Sequence, residues 1–363
     1  MHYLDFEKDL EQLDKNLNDL NNPFNEEGGL SSVNNNDIIN LEGQIDSKIA
    51  EIYSNLDGWK KTKIARHENR PKAHHYINVI FDNFQHMAGD RNFGEDEAAI
   101  TGFAKINGHS VLVIGQEKGN DTQSRLKRNF GMMRPEGYRK CIRLMKLAEN
   151  YNIPVITFID TPGAFPGKGA EERGQAEAIA QSINCCLSLK VPIISIVIGE
   201  GGSGGAIALA TSNKVLMLEH SIYSVISPEG CASILWKDAT KSKEAAEAMH
   251  LTAQDLSKYQ IIDGIINEPK GGAHRNPEKM SKRIKDEITK YILQYSNKTS
   301  ENILEERTHK FKSVGDNLPE DIISFDSFEN VQIKEKLLKN KKITVSVIVA
   351  VVTLTLGLIF FLN

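Results

Sequence analysis

The rhythm of apolar positions changes several times along the chain, and each change marks a different kind of element. Near the start, Leu4, Leu10, Leu13, Leu17 and Leu20 recur mostly at three- and four-residue steps among Asp, Glu and Lys. That spacing predicts an amphipathic helix with the leucines as its buried stripe. A polar break rich in Asn and Gly over 21–36 separates it from a second helical stretch over 38–56, so residues 1–64 read as a helical arm for packing. From about Tyr76, short β-branched runs separated by Gly and Pro take over, at 101–106, 110–115, 155–159, 193–198 and 214–218. These predict strands. Helical patterns at 135–151, 171–189 and 204–211 lie between them, and the alternation predicts a layered α/β body over 65–295.

Beyond this body the composition turns polar and acidic, and 296–342 reads as an extension ending in a basic linker. Over 343–362 every residue is apolar apart from Thr344, Ser346, Thr353, Thr355 and Gly357. At 1.5 Å per residue, about twenty residues cover roughly 30 Å, the thickness of a bilayer core. Lys334, Lys336, Lys339, Lys341 and Lys342 precede the run, which by the positive-inside rule predicts a single transmembrane helix with the body on the cytoplasmic side. A buried core helix is the plainer alternative, but nothing follows the run to cover it. The start of the chain lacks the basic-then-apolar pattern of a secretory signal.

Composition removes several classes of function. The formal charge of -4, from Lys+Arg 44 against Asp+Glu 48, supplies no basic excess for a nucleic-acid backbone. Cys141, Cys185, Cys186 and Cys231 are too few and too irregular for a disulfide framework or a two-knuckle zinc site, so no metal is expected on this chain. The mean hydropathy of -0.36 averages a polar majority with the apolar tail.

Chemistry concentrates at 191–212, where an apolar strand runs into a glycine cluster and leaves as an Ala-rich helix. Gly199, Gly201, Gly202, Gly204 and Gly205 permit close backbone approach, so amide N–H groups beside a helix start can bind an anion. Three motifs overlap here. Gly199, Gly201 and Gly204 satisfy G-x-G-x-x-G, with Glu219 about twenty residues on as a ribose-binding acid. Gly201, Ser203 and Gly205 satisfy G-x-S-x-G, with His220, His250 and His274 as candidate bases. The third reading needs no side chain, because paired backbone amides alone can stabilise an enolate-type oxygen. Simple packing of a tight strand-to-helix turn competes with all three, and the loop by itself does not choose.

A second strand, Gly/Pro loop and helix unit at 156–174 could bring another set of backbone donors to the same pocket. Together with its neighbours it carries a resemblance. The strings ITFIDTPGAFPGKGAEERGQAEAIA at 156–180, VIGEGGSGGAIAL at 197–209, YSVISPEGCASILWKDA at 223–239 and EPKGGAHRNPE at 268–278 are its core. RNFGM at 128–132, PEGYRKC at 135–141, LDFE at 4–7 and ARHENRP at 65–71 extend it over roughly residues 1–315. On these strings the chain resembles the alpha subunits of the carboxyltransferase component of bacterial acetyl-CoA carboxylase, in the crotonase superfamily. The implied fold is a crotonase-like (ClpP/crotonase) spiral of ββα repeats.

The resemblance implies transfer of a carboxyl group from carboxybiotin, held on a biotin carboxyl carrier protein, to acetyl-CoA, giving malonyl-CoA for fatty-acid synthesis. It implies a beta subunit that carries the zinc ribbon and most of the acetyl-CoA site, an α2β2 assembly, and a separate biotin carboxylase. Negative charge develops first on the biotin ureido oxygen and then on the acetyl enolate, and each oxyanion needs donors in place beforehand. The resemblance assigns the amides of Gly204 and Gly205 to the biotin oxyanion, with Gly201, Gly202 and Ala206 shaping the turn. Gly163, Ala164 and Phe165 form the second wall, and Ser203 is no nucleophile. Lys118, Arg128, Arg134 and Arg139 are candidates for CoA phosphates or the partner, and His274 with Arg275 for organising the site. Glu171, Glu172 and Arg173 read as a helix start, and Cys185–Cys186 as core. The tail departs from the family and suggests a tether to the cytoplasmic face of the inner membrane. A self-sufficient crotonase-fold hydratase or decarboxylase, and a non-catalytic scaffold, are the alternatives.

Overall fold

The structure, a computed structural model, describes residues 2–22 and 35–316. The transmembrane helix expected over 343–362 lies outside the described residues, among which no helix is long and apolar enough to cross a membrane. In chain order, α1 (Lys8–Asn21), α2 (Asn35–Ser54), α3 (Gly58–Ala65) and α4 (Ala73–Ile80) lead to β1 (Asp82–His86), β2 (Ala99–Ile106) and β3 (His109–Gln116). Then come α5 (Thr122–Lys127), α6 (Pro135–Asn150), β4 (Val155–Thr161), α7 (Lys168–Glu172), α8 (Gln175–Ser188), β5 (Ile193–Gly202) and α9 (Ser203–Ala210). The last elements are β6 (Lys214–Leu218), β7 (Ile222–Ser224), α10 (Pro228–Leu235), α11 (Ser242–Ala248), α12 (Ala253–Lys258), β8 (Gly264–Ile266), α13 (Pro277–Tyr295) and α14 (Ser300–Lys312).

The strands form one sheet in the order β1-β2-β3-β4-β5-β6-β8, with β7 pairing the far end of β5. Antiparallel pairing of β2 and β3 follows from their turn. Asn107 and Gly108 both take positive φ, the conformation of a two-residue hairpin whose twist matches the sheet. From β3 onward the strands are parallel, and β4 and β5 are buried along their whole length, which is why they read as unbroken apolar runs. Their side chains alternate between two cores. Val155, Ile159, Ile193 and Val197 face Leu144, Cys186 and Leu209 of α6, α8 and α9. Ile156, Phe158, Ile194 and Ile196 face Tyr76, Ile77, Ile284 and Ile288 of α4 and α13. Cys185 and Cys186 are core residues, as expected.

Two boundaries read from the sequence shift. α1 and α2 share an apolar cluster of their own, Leu10, Ile45 and Ile49, whereas α3 packs on the body: Ala65 lies with Ile222, Ala246 and Leu251. At the other end α14 falls inside the span read as extension, yet its Ile303 and Arg307 are buried. The polar composition of α14 hid this, because much of its attachment is polar: Arg307, Glu306 and Lys310 bond to the body beside the one core residue Ile303. The helix expected over 171–189 is two, α7 and α8, broken at Gly174 with φ +80°.

Candidate active site

β4 and β5 run side by side and deliver two loops at one edge, with Thr161 opposite Gly201. The outer side of the carboxyl ends of parallel strands is where open α/β folds bind ligands. After β4, Thr161 Oγ1 donates to the Gly163 carbonyl at 2.7 Å and accepts from the Gly163 amide at 3.2 Å, closing a turn that points Ala164 and Phe165 forward. After β5 the chain turns at Ser203, whose φ of 52° is rare for a residue with a side chain, and enters α9.

The two loops touch backbone to backbone. A Cβ on Gly205 would stand 2.6 Å from the Gly163 carbonyl carbon and 2.9 Å from the Ala164 nitrogen; one on Gly202 would strike the Pro162 carbonyl. Gly204 differs, since a Cβ there would meet only Ile179, at 3.6 Å. The residues expected at the site therefore lie on two adjoining segments: Gly201, Gly202, Gly204, Gly205 and Ala206 at the direct β5–α9 junction, and Gly163, Ala164 and Phe165 in the loop after β4. The first N–H groups of a helix have no acceptor within it, and α9 has no side-chain cap. Phe165 is fixed on both sides: its amide donates to the Met133 carbonyl at 3.1 Å, and the Arg134 guanidinium lies 4.9 Å from its ring centre.

Behind the glycines lies a charged cavity of about 330 Å³, lined by Arg66, Lys72, Lys118 and Arg125 as well as Asp160 and Glu200. Lys118 Nζ lies 2.8 Å from Asp160 Oδ1 and 3.2 Å from Glu200 Oε2. Arg66 grips Glu200 Oε1 through Nε at 3.0 Å and Nη2 at 2.6 Å, and the Glu200 amide donates to Asp160 Oδ1 at 3.0 Å. Burial alone would raise the Glu200 carboxyl, but Lys118 and Arg66 outweigh it and hold it below the usual range. Burial pulls Lys72 down to about 8. Of these residues, only Lys118 stands among the sequence candidates, for CoA phosphates or the partner; here it is buried between two carboxylates. The readable signal was a lone acid at the end of each apolar strand, Asp160 in β4 and Glu200 in β5.

The rival motifs lose their partners. His250 Nδ1 stands 3.9 Å from Asp255, His274 stacks on His67 at 4.0 Å, and the His220 ring lies 5.5 Å from Tyr53; none hydrogen-bonds Ser203. Glu219 accepts the Glu268 amide at 2.8 Å and is occupied in holding that loop. Other charged candidates are engaged locally: Arg139 donates to the Arg173 carbonyl at 2.7 Å, Arg173 pairs with Glu136 at 2.5 Å, and Arg128 approaches Glu97 at 4.0 Å.

Glu7, His67 and His274 bring three metal-ligating groups together. The Glu7 and His67 atoms are already committed: Tyr53 donates to Glu7 Oε1 at 2.6 Å, the Leu4 amide to Oε2 at 2.9 Å, and the Asn69 amide to His67 Nδ1 at 3.1 Å, while His67 Nε2 lies 3.0 Å from the His2 carbonyl; the buried His274 Nδ1 alone has no hydrogen-bond partner among the described residues. This cluster fastens the arm to the body.

Residues 3–315 match the family described as acetyl co-enzyme A carboxylase carboxyltransferase-like. A relative in Pelagibacter ubique (strain HTCC1062), named acetyl-coenzyme A carboxylase carboxyl transferase subunit alpha, is 56% identical over 314 residues, 86% of this chain and 85% of the relative. One of the same name in Rhizobium rhizogenes (strain K84 / ATCC BAA-868) is 53% identical over 319 residues, 88% of this chain and all (100%) of the relative. Among solved structures, the transcarboxylase 12S hexamer core with methylmalonyl-coenzyme A and methylmalonic acid bound shares the fold at a TM-score of 0.52 and 17% identity. That likeness covers 64% of this chain and 45% of the transcarboxylase chain. With its matched residues spanning both loops and both cores, this chain belongs to the acetyl-CoA carboxylase carboxyltransferase family.

Proposed function

We propose that the chain is the alpha-type carboxyltransferase subunit of acetyl-CoA carboxylase, taking the carboxyl group from carboxybiotin on a separate carrier and passing it, with a beta subunit, to acetyl-CoA. The observation that carries this reading is the backbone contact between the uncapped start of α9 and the Gly163–Ala164 turn. It leaves main-chain donors, and no nucleophile–base pair, at the mouth of the site. Carboxybiotin supplies the transferable carboxyl group and a ureido oxygen on which charge develops. The amides of Gly204 and Gly205 meet that charge, Gly201, Gly202 and Ala206 hold the turn, and Gly163, Ala164 and Phe165 form the facing wall. Donors fixed before the charge appears need no reorganisation during the reaction, which is the main economy of an oxyanion site.

Mixing the full chain with its beta subunit, acetyl-CoA and carboxylated carrier is expected to yield malonyl-CoA, with neither chain active alone. Hydration of an enoyl-CoA by this chain alone would instead point to a self-sufficient crotonase-fold enzyme, and an intact but inactive complex to a scaffold. Zinc is expected on the beta subunit of an α2β2 assembly, and biotin carboxylase upstream. Residues 343–362 form, on this reading, a tether at the cytoplasmic face of the inner membrane, beyond a basic linker that precedes it. Fractionating the full chain beside a version ending at Gly315 tests the tether; recovery of both in the soluble fraction would sink it.

A further inference from the structure

Gln116, the last residue of β3, is fully buried and its amide is spent on β4 and α9 at once, the two elements that carry the site. Its Nε2 donates to the Gly205 carbonyl at 2.7 Å, and its Oε1 accepts from the Asp160 amide at 3.2 Å. The same Nε2 lies 3.6 Å from the sulfur of Met133, whose carbonyl receives the Phe165 amide at 3.1 Å and Gln175 Nε2 at 2.8 Å. One side chain thus reaches the first turn of α9, the end of β4 and the residue that holds Phe165.

We propose that Gln116 is a positioning residue for carboxyl transfer, setting the spacing between the Gly204–Gly205 amides and the Gly163–Ala164 wall. This inference rests on reading those two loops as the oxyanion walls. The physical reason is that the loops come from separate strands, and backbone contact between glycines resists approach but does not oppose sliding or spreading. A carboxamide fits the task because it offers a donor and an acceptor in one rigid plane; in a buried site each becomes a directional bond. Lys118 also ties Asp160 to Glu200 by charge, but those ion pairs do not extend to α9. Errors of order 1 Å in the placement of reacting groups cost on the order of a hundredfold in rate.

The test uses the full chain mixed with its beta subunit, measuring malonyl-CoA formation from acetyl-CoA and carboxylated carrier. Gln116→Met keeps the length and loses both bonds; it is expected to lower kcat by about tenfold to a hundredfold, with the KM for either substrate changing by less than about threefold. Gln116→Glu supplies a second readout. Burial favours the protonated carboxyl, which can still donate to the Gly205 carbonyl and accept from the Asp160 amide, whereas the ionised form cannot donate. The ratio of its kcat to that of the native chain is therefore expected to rise as pH falls, a dependence that Gln116→Met does not share. Native kcat in Gln116→Met, or a pH-independent ratio in Gln116→Glu, overturns the proposal while native transfer leaves the underlying reading in place. A native mixture that transfers no carboxyl group overturns both. If Gln116→Met fails to fold, the pH-dependent ratio of the Glu variant decides alone.

Discussion

At the scale of single residues, the glycine cluster is not uniform, and its differences are testable. Gly205 has the Gly163 and Ala164 backbone where a Cβ would go, whereas Gly204 has open space before Ile179 at 3.6 Å. Gly205→Ala is expected to push the walls apart, lowering kcat by about a hundredfold and costing stability on the scale of core overpacking, about 1–3 kcal/mol. Gly204→Ala is expected to melt within about 1 kcal/mol of the native chain, with any loss confined to turnover. Thermal melts and steady-state rates on the two variants separate these outcomes; equal destabilisation by both would refute the geometry. Ser203→Ala is expected to keep most activity, and trapping of an acyl-enzyme on the native chain would contradict this. The glycines were legible because their spacing is dense and local. Gln116, Arg66 and Lys72 were not, since each acts on the site from a distant part of the chain, the end of β3 or the α3–α4 connection, and one residue of common type has no pattern to read.

At the scale of elements, the long strands were legible because burial on both faces forces continuous β-branched runs. β7 and β8 were not, since three residues cannot display a period. Nor was the joint between the arm and the body, where buried groups from several elements meet around His274. Burial, reinforced by His67 and the Arg70 charge, pulls the His274 imidazole from 6.5 to about 2. His67 and His220 are also lowered by burial. Glu7, Tyr53 and Arg275 are the other charged and titratable groups there, together with Glu268, which is paired with Arg70 and held at about 2 because Arg70 outweighs burial. The unfolded chain binds a proton at His274 near pH 6.5 and the folded chain does not, so this stability is present above pH 6.5 and lost as pH falls toward 2. The Glu268 contribution is lost lower, between 4.5 and about 2. One such histidine costs about 2 kcal/mol by pH 5. Denaturant melts of His274→Gln from pH 7.5 to 5 are expected to show a shallower decline than the native chain, by about one proton's slope. Parallel declines would exclude His274 as a source of acid lability.

At the scale of the whole molecule, the question is where the folded body stops, and α14 decides it through Arg307. The guanidinium is fully buried with no carboxylate partner among the described residues, and burial pulls it down to about 10. Its hydrogen bonds go to the carbonyls of Cys186 at 2.7 Å, Leu189 at 2.6 Å and Val191 at 2.7 Å, and to Asn213 Oδ1. Those acceptors lie at the end of α8, in the segment leading to β5 and just before β6, so one side chain ties together the backbone that feeds β5 into the glycine loop. Without α14 the acceptors lose their donor, at about 1–3 kcal/mol for each that stays dry, and the core slot of Ile303 opens as well. A chain ending at residue 299 is therefore expected to melt at least about 10 °C below one ending at Gly315, and Arg307→Met to fall between them. The chain ending at Gly315 is expected to match the full chain in melting temperature and in carboxyl transfer, because Gly315 lies beyond α14 and its buried anchor. Equal melting of the 299 and 315 chains would mean that α14 is an appendage and that the body closes at α13.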